Sequence, residues 1–411
     1  MKKLANYLKS ALYSIGRNKA YAVFCILGTA LTFVFVITVL QLARLLVSND
    51  PPQVYADRTV RLDNMFRMTN GNMTGIGNRS INSLLGLVKD YEEVALSHFE
   101  AINVSIGKSV VSAKVDFVNS GFWKINRFEF IAGAPFVADN ATEGDAVAVV
   151  TEEMARKYFR GADPLGQTIE LQHTLFRIVG VIRDFSLLST GTDMGASVFV
   201  PMKFNKGIPS GDDTYYSVFL FPESMPVEKM KERVLEGTRF FFEQRNLDVV
   251  LTPKNVRTVK EIRMNDFGGD LLVYGIGIVV FLLLLIPAVN IVTLSMANTD
   301  NQAAELAIRR AMGATKRATF LQTMTVNYLL VLTGALLGLL LAYPFIRIVN
   351  GVLHNATFDG GYLLSEGVSA KIILIYLLPL TVVFSLLSGG IPAYLVSKRN
   401  ISEILKKGGS K

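Results

Sequence analysis

Four stretches of this chain carry no charged residue over a length that matches the hydrocarbon core of a bilayer: Tyr21–Ala43, Leu271–Met296, Phe320–Ile346 and Ile372–Ser397. A helix needs roughly 20 consecutive, mainly apolar residues to cross that core, and a backbone in lipid must satisfy its polar groups internally. The pattern predicts a membrane α-helical protein with four transmembrane helices. A large extracytoplasmic domain sits between the first two, since residues 44–270 are too long and too polar to be a loop. The expected segments are a cytoplasmic amphipathic helix (1–19), a first span (20–43), the external domain (44–270) and a second span (271–296). A cytoplasmic loop (297–318), a third span (319–347), a short external loop (348–371), a fourth span (372–397) and a cytoplasmic tail (398–411) follow.

Charge placement orients the chain. Lys2, Lys3, Lys9, Arg17 and Lys19 precede the first run without an acidic residue, and Arg309, Arg310, Lys316 and Arg317 crowd the short loop between the second and third. Lys398, Arg399, Lys406, Lys407 and Lys411 follow the fourth, whereas residues 44–270 hold 26 basic and 29 acidic residues. Short cationic flanks stay on the cytoplasmic side, so both termini and the 297–318 loop are expected there. The formal charge of +8 is thus a topology signal and not a nucleic-acid footprint. The first run is longer than a signal-peptide core and lacks a small-x-small cleavage site, so it reads as an uncleaved anchor.

Within the external region, "AVAVVT" (146–151) reads as a buried strand, and Thr151-Glu152-Glu153 as a helix start with acids in its first turn. "QTIELQ" and "LFRIVGVIRD" read as strands around a turn near His173-Thr174. Residues 226–246 read as an amphipathic helix opened by Pro226, with "LDVVLTP" as a further strand. Strand–helix–strand units imply an α/β domain, with room for two lobes. Residues 65–80, polar and glycine-rich, read as a loop or mobile insertion.

The four apolar runs contain no Asp, Glu, Lys, Arg or His, which argues against a proton-coupled pump or an intramembrane protease. Asn290 and Asn327 are candidates for interhelical hydrogen bonds, and Gly334 with Gly338 forms a G-x-x-x-G pair suited to close helix packing. One cysteine excludes a disulfide framework, and three scattered histidines make a shared metal site an unfavoured reading. The sequence Gly107-Lys108-Ser109 has Ile102 where a phosphate-binding loop needs glycine. No catalytic site, metal site or cofactor site is expected in this chain, and any ATP must be bound by a partner.

The cytoplasmic loop is the candidate for that contact. From 299 to 312 it reads as a helix with Glu305 and Arg309 paired at i, i+4. Arg309 and Arg310 complement the dipole at its end. Gly313 suits the left-handed residue that terminates a helix, and Thr315 can cap the next one. A plain cationic anchor would explain the charges, but not the stop and restart.

That loop, Glu305-Leu306-Ala307-Ile308-Arg309-Arg310-Ala311-Met312-Gly313-Ala314-Thr315-Lys316-Arg317, resembles the hallmark of the MacB/FtsX family of ABC transporter permeases. "IPAVNIVTLSMANTD", "IPAYLVSKRNISEILK", "NSGFWKINRFEFIAGAPF" and "AVAVVTEEMARKYFRGADPLGQTIEL" resemble the family's second span, tail and periplasmic core domain. Asn400-Ile401 stands where the family tail usually has proline. The resemblance implies a dimer, homodimeric or with a paralogous permease, in the bacterial inner membrane. It also implies two copies of a cytoplasmic ABC ATPase docked on Glu305, Ile308, Arg309, Arg310, Met312, Gly313, Ala314, Thr315, Lys316 and Arg317. ATP-driven closure would then be transmitted mechanically to the periplasmic domain for export or extrusion, with a periplasmic adaptor or outer-membrane channel as possible partners and no nucleic acid. Alternatives within the same fold are a regulator that strains a periplasmic partner such as a cell-wall hydrolase, and a lipoprotein-releasing permease. A ligand-sensing membrane receptor is the alternative from another class. The cargo stays open, because a fold does not specify it.

Overall fold

A computed structural model describes residues 11–136, 145–186, 195–205, 214–266, 312–354 and 372–398, except 14, 18 and 160; between 267 and 311 it describes 268–269, 271, 274–285, 288–289 and 293. The chain divides into two compact units. One comprises Met1–Ala43, Val273–Val349 and Glu366–Lys411; the other comprises Arg44–Leu272 and Asn350–Ser365.

The apolar unit begins with helix α1 (Lys19–Val47), uncharged over most of its length. In the external unit the chain forms β1 (Thr59–Leu62), β2 (Met65–Arg67), β3 (Met73–Gly75), α2 (Asn78–Leu85), β4 (Glu93–Ile106) and β5 (Ser109–Val118). Next come α3 (Ser120–Ile125), β6 (Phe130–Gly133), β7 (Val147–Thr151), α4 (Glu152–Phe159), β8 (Thr168–Leu171) and β9 (Thr174–Ile182). The unit is completed by β10 (Val198–Pro201), β11 (Tyr216–Leu220), α5 (Val227–Glu243), β12 (Val256–Thr258) and α6 (Val259–Asp266). The chain then returns to the apolar unit through α7 (Tyr274–Leu285), α8 (Lys316–His354) and α9 (Leu378–Lys398).

One ten-stranded mixed sheet organises the external unit, in the order β12-β1-β11-β4-β5-β10-β7-β9-β6, with β8 bridging β4 and β9. Its centre explains its sequence. All five residues of β7 are buried, and it lies antiparallel to β10 and parallel to β9, so both faces call for apolar side chains. Thr151 Oγ1 accepts the Met154 N–H and starts α4, as its position before two acids suggested. The β4–β5 hairpin turns at Gly107-Lys108, which places the lookalike of a phosphate loop at an exposed two-residue turn. Asn119 joins sheet to helix: its side chain accepts the N–H groups of Leu96 and Phe122 and donates to the Val94 carbonyl. That fixes α3, whose Phe122 and Trp123 pack edge-on to each other and against Phe199 beneath them. A separate core forms where Phe66, Phe219, Phe241 and Phe242 meet.

Three expectations need correction. Residues 65–80 are not a plain loop: β2 and β3 form a small antiparallel sheet whose Phe66 is fully buried, and α2 starts at Asn78. "LDVVLTP" forms no strand, making only an isolated bridge from Val249 to Met68. Four transmembrane helices are also corrected to two. Among the described residues, only Lys19–Leu46 and Lys316–Val352 are long and apolar enough to cross a membrane. The other two runs contain shorter apolar helices, Tyr274–Leu285 and Ile373–Leu386. The last run opens as a π-helical turn, Ile372–Leu377, ahead of Pro379. Proline cannot donate to the carbonyl four residues back, and its ring crowds that turn. What remains is a membrane α-helical unit joined to an α/β extracytoplasmic core.

Candidate functional site

Of the residues singled out in the cytoplasmic loop, Glu305, Ile308, Arg309 and Arg310 lie outside the described residues, as does Asn290 in the second run. The described end of the loop leads into α8. Gly313 has a φ of +100°, a left-handed conformation that suits glycine. Thr315 Oγ1 then accepts the Ala318 N–H at 3.2 Å, a side-chain cap on the first turn of α8. Met312, Gly313, Thr315, Lys316 and Arg317 are exposed and Ala314 is half-buried, so this edge is open to a partner.

Inside the apolar unit, α8 lies directly on α1. A Cβ built on Gly334 would stand 2.6 Å from Thr29 Cβ, and one on Gly338 would stand 2.7 Å from the Ala30 carbonyl oxygen. The two glycines therefore let the helix backbones approach within a distance that any side chain would block. One turn and more away, the Tyr21 hydroxyl donates to Asn327 Oδ1 at 3.1 Å, and Asn327 is buried. Phe33 meets Phe384 of α9 edge-on. Three helices from distant parts of the sequence thus share one interior, with the sole cysteine, Cys25, buried inside it.

A polar cluster that the sequence reading did not single out lies in the external unit. There the last turn of α1 meets α6, the eight-residue helix just upstream of the second apolar run. Thr258 and Glu261 form a reciprocal capping box: Thr258 N–H donates to Glu261 Oε2, and Glu261 N–H donates to Thr258 Oγ1. Lys231 of α5 donates to Glu261 Oε1 at 2.6 Å. Burial pushes the Glu261 carboxyl up, but these donors outweigh it and hold its pKa below the ordinary range. From the helix so fixed, Lys260 reaches Asp57 at 2.9 Å and Arg263 turns inward.

Arg263 is only 1% exposed. Its Nη1 donates to the Leu45 carbonyl at 3.1 Å and to the Ser48 carbonyl at 3.0 Å. The last carbonyls of a helix have no intrahelical partner and attract positive charge, so Arg263 caps α1 from 218 residues away in sequence. Asp50 accepts from Arg44 and Ser48, and Asp57 accepts from Asn49 and Lys260. Burial raises the Asp57 pKa, yet these donors and the charges of Lys260 and Arg263 bring it below its usual value. Burial lowers that of Arg263 against the pull of Asp57 and Asp50. A charged residue in a short amphipathic helix gives no sequence signal for such a role, because its partners are backbone atoms.

Val259 and Ile262 of α6 line a crevice together with Phe122 and Asn126 of the α3 segment and Arg61 and Tyr216 of the strands. Arg61 lies over the Tyr216 ring at 4.9 Å. Among the described residues no group of three or more His, Cys, Asp or Glu side chains could hold a metal ion.

Comparison with known proteins places these parts. The profile of the MacB-like periplasmic core domain matches residues 22–236, just over half of the chain, and that of the FtsX-like permease C-terminal family matches residues 277–401. An ABC transporter permease of Bacillus subtilis (strain 168), YknZ, is 22% identical over 66% of this chain and 67% of its own length. The macrolide export ATP-binding/permease protein MacB of Bdellovibrio bacteriovorus is 24% identical over 67% of this chain. Only 41% of that relative is covered, and 34% of the probable syringafactin export protein SyfD of Pseudomonas syringae, so the chain spans well under half of such relatives. Among solved structures, the extracellular domain of YknZ aligns over 47% of this chain and all of that one, at 18% identity and a TM-score of 0.38. The periplasmic region of MacB from Actinobacillus actinomycetemcomitans covers 52% of this chain and 94% of its own, at 12% identity and a TM-score of 0.40.

Proposed function

The chain belongs to the MacB/FtsX family of ABC transporter permeases, and on that premise we propose that it couples ATP hydrolysis by a separate ATPase to movement of its external domain. A permease role in an ABC-type transport system, in a multi-pass membrane protein, is what the family membership supplies. The mechanical reading goes further. In it, two copies of a cytoplasmic ATPase dock on the Glu305–Arg317 segment of a dimeric permease. Their closure is passed through the packed membrane helices to the external sheet, which works on a substrate outside the membrane. Both termini lie in the cytoplasm, and this chain performs no catalysis of its own.

The observation that carries the reading is the physical continuity of α1. It packs against α8, the helix that begins at the loop's end, and it runs as one uninterrupted helix to the cluster around Arg263. Docking is tested by purifying the full chain from its own membranes with and without Arg309→Glu and Arg310→Glu. The wild-type chain should bring down a nucleotide-binding subunit, and the double variant should lose it or leave its ATPase rate unstimulated. Unchanged assembly and unchanged hydrolysis would remove the docking role.

A further inference from the structure

The external unit is inserted between two apolar segments, so it has one chain entering from α1 and another leaving through α6. Within that unit the two connections meet at one side chain. We propose that Arg263 is a positioning residue for coupling: by binding the Leu45 and Ser48 carbonyls from α6, it makes the two connections move as one stalk. The proposal rests on the mechanical reading above and names the joint that reading needs.

Four features support the assignment. The contact is directional, since Nη1 holds two carbonyls at 3.1 and 3.0 Å. It is shielded, because the residue is 1% exposed and water does not compete for the bonds. It is braced from behind: α6 is held at its start by the Thr258–Glu261 capping box and sideways by Lys231 and by Lys260 on Asp57. The arginine is also a poor choice for simple filling. Its Nε and Nη2 have no hydrogen-bond partner among the described residues, and an apolar side chain of similar volume would avoid desolvating a charge. What the guanidinium adds is a tie between backbone segments that packing alone would let slide. Without it, a pull or rotation of α1 would reach α6 less directly, through residues 48–57, the Lys260–Asp57 contact and the β1–β12 pairing.

The test uses the full chain in lipid nanodiscs with the ATPase that co-purifies with it, and compares wild type with Arg263→Met and Arg263→Lys. Spin labels at Lys108→Cys, on the exposed β4–β5 turn, and at Leu336→Cys, on the exposed face of α8, report distance by pulsed electron resonance with and without ATP. The wild-type distribution should shift on ATP addition. In Arg263→Met the ATPase should still dock and hydrolyse, while the shift falls by about half or more, the range expected when a coupling contact is lost. Arg263→Lys, which can reach a carbonyl but cannot fork between two, should recover part of it. Trp123 fluorescence shows whether each variant is folded, and hydrogen exchange of residues 41–50 and 259–266 adds a readout independent of ATP. Protection there should drop together in Arg263→Met while β7 and β9 keep theirs. A full ATP-dependent shift in Arg263→Met, or unchanged protection in both segments, overturns the joint. A wild-type complex that docks and hydrolyses without any shift overturns the mechanical reading and the joint with it.

Discussion

Replacing Gly338 by alanine adds a single methyl group where α8 crosses α1, and the structure says how much room it lacks. The new Cβ would lie 2.7 Å from the Ala30 carbonyl oxygen and 2.8 Å from Phe33 Cβ, whereas carbon atoms rest about 3.5–4.0 Å apart. Neither neighbour is the far end of a flexible side chain, so the helices must part by close to an ångström. Overpacking of this kind costs about 1–3 kcal/mol, and the gain in helix propensity returns about 1 kcal/mol. Taking the middle of that range leaves a net loss of about 1 kcal/mol, which corresponds to an opened population roughly 5-fold larger. Cys25 is a built-in reporter, being the only thiol in the chain and 1% exposed within the same packed interior. Its alkylation by a fluorogenic maleimide, measured on the detergent-solubilised full chain, should therefore accelerate by that factor. Gly28 lies on α1 with nothing within 4 Å of its notional Cβ, so Gly28→Ala should leave the rate unchanged or slow it. Equal rates for wild type and Gly338→Ala, or equal acceleration by both variants, would refute close packing at the glycine pair.

Asn119→Ala should destabilise the external unit by about 2–4 kcal/mol, since it strips the cap from α3 and orphans the Leu96 N–H and the Val94 carbonyl. Urea unfolding followed through Trp123, the only tryptophan and 8% exposed, measures this directly. Asp184 should make the unit less stable as pH rises. Burial, with Glu152 and Glu153 adding to it against the Glu153 N–H and Arg156, lifts its pKa from 3.8 to about 6. Between those values the folded chain holds the extra proton, so stability falls through that window and stays lowered above it. Asp184→Asn keeps an acceptor for the Glu153 N–H. It should gain about 2 kcal/mol at neutral pH and nothing near pH 4, discounting for partial exposure; the same gain at both pH values would reject the assignment.

The sequence was most legible where local and tertiary demands agree. Buried Val147–Thr151, the Thr151 cap and the paired strands Thr168–Leu171 and Thr174–Ile182 all announce themselves by periodicity and turn residues. It was misleading where they part. The β2–β3 hairpin is built from two three-residue strands with one fully buried side chain, Phe66, which is too little pattern to separate from a glycine-rich loop. Leu247 to Leu251 have strand-forming side chains, yet alternate residues lean on a core while the backbone finds a single bridge. Apolar length likewise overstated the helices: among the described residues only Lys19–Leu46 and Lys316–Val352 reach a spanning length, and the fourth run opens with a π-turn ahead of Pro379. The left-handed Gly313 and the Thr315 cap on α8 could be read because each depends on its own neighbours. Arg263 could not, because its partners, two backbone carbonyls, lie more than 200 residues away.

The central claim is that this chain works as the membrane half of an ATP-driven machine. Native mass spectrometry of the full chain, released from its own membrane in mild detergent, tests it in one measurement. The account predicts an assembly of two permease copies with two nucleotide-binding subunits, which loses those subunits when Arg309 and Arg310 are reversed. A chain that emerges alone, or with partners that bind no nucleotide, would contradict it.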